Sequence, residues 1–142
     1  MDIASLNFRT FAHATEDEGR VEKALRNVSG ADEIERSKTA GYHGNPITVL
    51  EVRITDARRI KVFLKALDRK DVSYLLDSIE KRVDEDSFFF LRLDKQEAFQ
   101  ERFVLADHDD VIAVRAKIKS YPQSRDNAVK VITKILQDQL DQ

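Results

Sequence analysis

The sequence predicts an α+β fold, with helices packed on one face of a mixed, mainly antiparallel β-sheet. Three observations lead there. Segments of period-two alternation recur along the chain, and segments with apolar residues at i, i+3, i+4 and i+7 lie between them. No low-complexity linker or internal repeat divides the 142 residues. A chain of that length buries roughly 70% of the surface its unfolded form exposes, enough for one core. We therefore expect residues 1–142 to form a single domain, in the order β-α-β-β-α-α-β-β-β-α.

Residues 3–12, IASLNFRTFA, place Leu6 and Phe8 on one face and Ser5, Asn7 and Arg9 on the other, as in a half-buried strand. Thr15 and Glu18 have capping-box spacing before a helix bearing Val21, Ala24, Leu25 and Val28, and Gly30 is placed to end it. Residues 33–40 read as a polar, edge-like strand, and 47–54 as the best strand of the chain. Asp56 is placed to cap a second helix with Ile60, Phe63, Leu64 and Leu67 on one face. A third helix is expected over 71–83. The turn Asp84-Glu85-Asp86 leads into the strand SFFFLRL, followed by a short helical turn over 94–100 and a strand over 102–106. A second acidic turn, 107–110, joins the strand 111–119. Pro122 ends that strand, and Ser124 is placed to cap a last helix over about 124–140.

Composition removes several functions. Without cysteine there is no disulfide, thiolate chemistry or cysteine-ligated zinc. No apolar run approaches the length of a membrane helix, and MDIASLNF lacks the features of a signal peptide, so a cytoplasmic protein without a membrane partner is expected. The net charge of −2 withholds the bulk basicity common in nucleic-acid binders. A polyanion site therefore requires local segregation of the basic residues.

Two segments show such segregation. On a helix over the second apolar face, Arg58, Lys61, Lys65 and Arg69 fall in one stripe opposite it. A row of like charges gains nothing from intrahelical pairing, whereas RNA phosphates would reward it. In the strand 111–119, Arg115, Lys117 and Lys119 alternate with Val114, Ala116 and Ile118. Both patterns also describe ordinary solvated faces; together on one side of the domain they would make a basic patch. Arg9 and Arg53 point outward if Phe8 and Val52 point inward. Of the three consecutive phenylalanines, Phe89 belongs with Leu91 and Leu93 in the core. Phe88, Phe90 and Arg92 then face a second packed layer or solvent, with burial under a helix the commoner arrangement.

Enzyme signatures are sparse. His13, His43 and His108 have no metal-ligand spacing, and there is no phosphate-binding glycine loop or nucleophile elbow. The acidic turns resemble nuclease magnesium sites only loosely, turn-forming Asp being the plainer account. The loop before the best strand, TAGYHGNP, allows positive φ at Gly41 and Gly44, and Pro46 pushes Asn45 out of the α region. Such a loop sets a hairpin register, or offers backbone amides to a phosphate.

Four segments in order, FRTFAHATED (8–17), GYHGNPITVLEVRI (41–54), FLRLDKQEAF (90–99) and LADHDDVIAVRAKIK (105–119), resemble the archaeal RNA-binding family labelled predicted exosome subunit. The resemblance extends to about Lys119; the final helix carries no motif of it. It implies a fold like that of the 5S-rRNA-binding ribosomal protein of the large subunit, whose glycine-proline-isoleucine loop, strand and helix have counterparts in Gly44, Pro46 and Ile47, in 49–54 and in Phe63-Leu64. Here Asn45 intervenes between glycine and proline. The resemblance implies RNA binding, structured or ribosomal-type, with no catalytic residues and no cofactor. Exosome or ribosome-associated proteins are further candidate partners. The expected RNA contacts are Arg58, Lys61, Lys65, Arg69, Arg115, Lys117, Lys119, Arg9 and Arg53, with Gly41, His43, Gly44 and Asn45 in the loop. The alternatives are a protein-interaction accessory module and, last, a metal-dependent nuclease using Asp109 or Asp110.

Overall fold

A computed structural model describes residues 2–41 and 44–142. Its elements are β1 (Ile3–His13), α1 (Glu18–Ser29), β2 (Glu35–Ala40), β3 (Pro46–Ile54), α2 (Ala57–Ala66), α3 (Arg69–Asp77), a 3-10 turn (Ile79–Lys81), β4 (Phe88–Asp94), α4 (Lys95–Phe99), β5 (Val111–Ile118) and α5 (Arg125–Leu140). The class is α+β, and the five strands form one antiparallel sheet in the order β2-β3-β1-β5-β4.

Strand alternation is visible in the burial of β1, β5 and β4. Phe8, Thr10 and Ala12 of β1 are buried between exposed Arg9, Phe11 and His13. Ile112, Val114, Ala116 and Ile118 of β5 are buried, and so are Phe89, Leu91 and Leu93 of β4. Every residue of β2, by contrast, is exposed, as an edge strand permits.

The chain falls into two compact units, and β1, β4 and β5 contribute to both. One unit takes Asn7–Ile54 and Arg92–Val114. In it β2 pairs antiparallel with β3 from Glu35↔Glu51 to Ala40↔Pro46, and α1 packs on β3 and α4. The Asn27 amide donates to the carbonyls of Ala98 (3.0 Å) and Phe99 (3.2 Å). The other unit takes the chain up to Leu6, Thr55–Leu91 and Arg115–Gln142. There α3 and the 3-10 turn pack on α5, and Ile60, Val72, Leu75, Ile132 and Leu136 are buried.

Several expected boundaries move for identifiable reasons. Asp17, not Thr15, caps α1, its carboxylate accepting from the Gly19 amide at 2.9 Å. After Ala66 the backbone turns extended at Leu67 (φ −72°, ψ 133°), and Asp68 caps a new helix, so Arg69 opens α3 rather than closing α2. That helix stops at Asp77, where the Ser78 hydroxyl donates back to the Tyr74 carbonyl, and only a 3-10 turn follows. The strand expected over 102–106 reduces to one bridge, Leu93↔Leu105. Glu101 has φ +64° and the Arg102 amide folds back onto the Glu97 carbonyl, which leaves no extended run to pair.

Lys95 is the one buried cation among the described residues, 3% exposed at the start of α4. Its ammonium donates to the Phe11 carbonyl (2.8 Å) and to both Glu16 oxygens (3.1 and 3.2 Å), and it pairs with Asp110 Oδ1 at 2.9 Å. A buried charge persists only when its donors are satisfied in this way. Partial burial raises the Asp110 carboxyl pKa, but hydrogen bonds from Lys95 and Gln96 outweigh it and hold the group below the usual aspartate range. An acid with a depressed folded value stabilises the fold above its unfolded pKa of about 3.9, and that contribution fades as pH falls through the folded value. Replacing Lys95 by Met should therefore cost about 2 kcal/mol at neutral pH, less than a fully buried pair because both acids reach solvent. Urea titrations should show the gap between variant and wild type closing as pH drops below the carboxylate range.

Candidate nucleic-acid interface

Helix α2 begins at Asp56, whose carboxylate accepts from the Arg58 amide at 2.9 Å. Burial of Ile60, Phe63 and Leu64 fixes its rotation, so Arg58, Lys61 and Lys65 stand exposed on the opposite side, with Arg59 beside them. Val62 lies within this row and is 64% exposed. Among the described residues none of these cations is ion-paired. Arg69 is also exposed and unpaired among those residues, but it stands on α3 and is not part of the helical row.

Arg115 and Lys117 leave β5 on the side opposite its buried residues. Across the strand pair both meet Phe88 of β4: the Arg115 guanidinium carbon lies 4.3 Å from the ring centroid, and the Lys117 Nζ 4.7 Å. Such contacts are worth about 0.5–2 kcal/mol each, depending on desolvation. Lys117 also donates to the Asp86 carbonyl. Lys119 lies just past the end of β5, exposed. The helix cations and the strand cations thus issue from different layers of one unit and do not interleave in one row.

The face that Phe88 shares with Phe90 and Arg92 is not covered by a second layer. Phe88 is half-buried under its two cations, and Phe90 and Arg92 are exposed. The acidic turn before β4 serves the backbone, with Asp84 Oδ1 accepting the amides of Asp86 and Phe88 at 2.9 Å each. The turn at 107–110 is likewise engaged: Asp110 pairs with Lys95, and His108 Nε2 lies 2.9 Å from Asp94, which caps α4. Among the described residues no three metal-ligating side chains gather.

In the other unit Arg9 and Arg53 both point outward. Arg9 lies 3.6 Å from Glu51 and 5.3 Å from the Phe11 ring centroid, while Arg53 has no ion pair among the described residues. Glu22 anchors β2 to α1: a hydrogen bond from Arg36, with the charges of Arg36 and Arg26, holds its carboxyl below the usual range despite some burial. Gly41 follows the end of β2, and Gly44 and Asn45 precede β3. The Gly41 amide donates to the Asn45 carbonyl (2.6 Å) and the Gly44 amide to the Gly41 carbonyl (3.0 Å), so neither faces a ligand. Gly44 takes φ +76° and Gly41 does not; at Gly41 a Cβ would stand 2.4 Å from Ile47 Cδ1. His43 lies outside the described residues.

A family model described as RNA binding matches residues 5–118. The chain belongs to that RNA-binding family. A relative from Pyrococcus abyssi named RNA-binding protein PAB1135 is 37% identical, with 94% of this chain and 93% of the relative aligned. Two solved structures of the family, there called DUF54, share the fold. Mth689 of Methanothermobacter thermautotrophicus is 39% identical with a TM-score of 0.81, covering 94% of this chain and 98% of its own. AF2318 of Archaeoglobus fulgidus is 31% identical with a TM-score of 0.84, covering 94% and 99%. The family match stops at residue 118, so α5 lies beyond the shared motifs.

Within this RNA-binding family chain, the exposed aromatics Phe90 and Phe11 and the paired ring of Phe88 are surface features that the basic-residue patterns alone leave out. Their signal was present as alternation with Arg92 and Arg9. The loop yields a test of its own. Because a Cβ at Gly44 meets no atom within 4 Å, Gly44→Ala should cost only the backbone penalty of its φ, about 1 kcal/mol. Gly44→Asn should cost less, and thermal unfolding of the pair measures the difference.

Proposed function

We propose that this protein is a non-catalytic, cytoplasmic RNA-binding protein of archaeal RNA processing or of a ribosome- or exosome-associated assembly. It neutralises phosphates through Arg58, Lys61 and Lys65, with Arg69, Arg115, Lys117 and Lys119 as further contacts. Arg9 and Arg53 offer the same chemistry from the other unit, and the amide of Asn45 adds a hydrogen-bond donor in the loop, where His43 is a further candidate contact. The likeness to the fold of the 5S-rRNA-binding ribosomal protein is part of this reading, and a structured RNA is the expected ligand.

The observation that carries it is the state of the α2 cations: all exposed and none ion-paired among the described residues. Some basic side chains elsewhere are matched, as in Arg26 with Glu22, Arg125 with Glu80 and Lys134 with Asp138, so the α2 row is distinguished by four exposed cations standing together on one acid-free helix. Cations left without counter-charges on one helix face retain the field that a polyanion neutralises. The exposed edge strand β2 favours a second reading, an accessory module that pairs with a partner protein. A partner that co-purifies after nuclease treatment would support that reading.

Reversing charge with Lys61→Glu and Lys65→Glu should weaken RNA binding across sequences. It should also flatten the plot of log affinity against log salt by about 0.7 to 0.9 per residue lost. An unchanged slope in the double variant excludes the α2 surface.

A further inference from the structure

The exposed face of β4 and β5 combines two features that phosphate neutralisation does not need. Phe88 is already occupied, with Arg115 and Lys117 set against its ring from β5. Phe90 lies two residues further along the same face, about 7 Å on by strand geometry, and is 38% exposed. None of the outward residues here, Phe88, Phe90, Arg115 and Lys117, is acidic. Beside them Arg82 donates to the Phe90 carbonyl at 3.3 Å and lies 5.5 Å from the ring of Tyr74, itself 53% exposed.

At the other end of the face, Lys117 borders an open groove of about 560 Å³ lined also by Asp2, Ala4, Lys119, Ser120 and Tyr121. Its size suits a small planar ligand. Its Lys119 side chain is exposed, and Asp2 is the one acid along it.

A cation held against one ring, with a second, partly exposed ring beside it, suits a ligand that alternates anionic and planar groups. Nucleic acid has that alternation, phosphates for the cations and bases for the ring. In a duplex the base faces are already stacked on one another, so an aromatic side chain can take only bases that are unpaired.

We propose that this face binds unpaired nucleotides of RNA, with a base stacked on Phe90 and flanking phosphates on Arg115 and Lys117. The strand then runs toward the groove at Lys119 and Tyr121. The proposal rests on the RNA-binding reading above and adds the class of RNA: single strands, or the loops and bulges of a structured one.

The test compares wild type, Phe90→Ala, Phe90→Leu and Phe90→Trp by fluorescence anisotropy across a salt series. The probes are an unstructured uridine-rich RNA and a blunt RNA duplex of the same length. Circular dichroism checks that each variant folds, which the exposure of Phe90 leads us to expect. Phe90→Ala and Phe90→Leu should both weaken single-strand binding, by roughly 5- to 150-fold, with the salt slope kept and duplex binding unchanged. Phe90→Trp should bind at least as well as wild type. Wild-type affinity in the Leu variant overturns stacking, because Leu keeps apolar area without a π-face. Equal losses on both probes overturn the preference for unpaired bases. Failure of the wild type to bind either probe overturns the RNA reading itself, before any variant is compared.

Discussion

A sheet with one face covered must send every second side chain into solvent, and this period-two constraint governs what the surface can do. The buried parity is apolar in β5 and β4, with Ile112, Val114, Ala116 and Ile118 in one and Phe89, Leu91 and Leu93 in the other. The outward parity is free of that demand and is filled with Arg115, Lys117, Phe88, Phe90 and Arg92. An outward phenylalanine contributes little to the core, and leaving it in water is unfavourable. The two cations on Phe88 offset part of that penalty, and Phe90 stays 38% exposed beside it.

Charge is distributed by a second economy. The net charge of −2 gives no hint of a polyanion surface, but it includes acidic residues held at structural posts. Asp17, Asp56, Asp68 and Asp94 cap the first four helices. Glu22 holds Arg26 and Arg36, and Glu16 and Asp110 hold buried Lys95. Carboxylates tied to amides and cations in this way do not neutralise the α2 row. The segment 57–67 between the caps of α2 and α3 contains no acid at all. Segregation, not composition, is what creates the local positive field.

The parts of the fold legible in the sequence were those set by neighbours along the chain. Alternation marked β1, β3, β4 and β5, and apolar spacing marked α1, α2 and α5, because both report on one element at a time. Arg69 was misplaced because Ile60, Phe63, Leu64 and Leu67 continue one helical face across the break. The extended turn at Leu67 and the Asp68 cap override that spacing. Lys95 was illegible for a different reason. Its partners Phe11 and Glu16 lie some 80 residues away, and nothing local in KQEAF separates a buried lysine from an exposed one. Alternation also showed that Phe88 and Phe90 share a face, but not whether a further layer covers it. That depends on where the helices go, and they leave this parity open.

The two kinds of contact do different physical work, and their magnitudes explain why the surface would combine them. On the proposed reading, three phosphate contacts, one each for Arg58, Lys61 and Lys65, imply a loss of roughly 20- to 40-fold in affinity between about 50 and 200 mM salt. With a net charge of −2 the chain carries no overall positive charge to offset that loss. Stacking on an aromatic ring is worth about 1–3 kcal/mol per base and is not screened by salt. It is also unavailable to a continuous duplex, whereas phosphate contacts are common to every RNA. The cation row can thus supply encounter and general affinity. On the proposal above, the open parity of β4 and β5 would add the term that persists at physiological salt and separates unpaired from paired RNA.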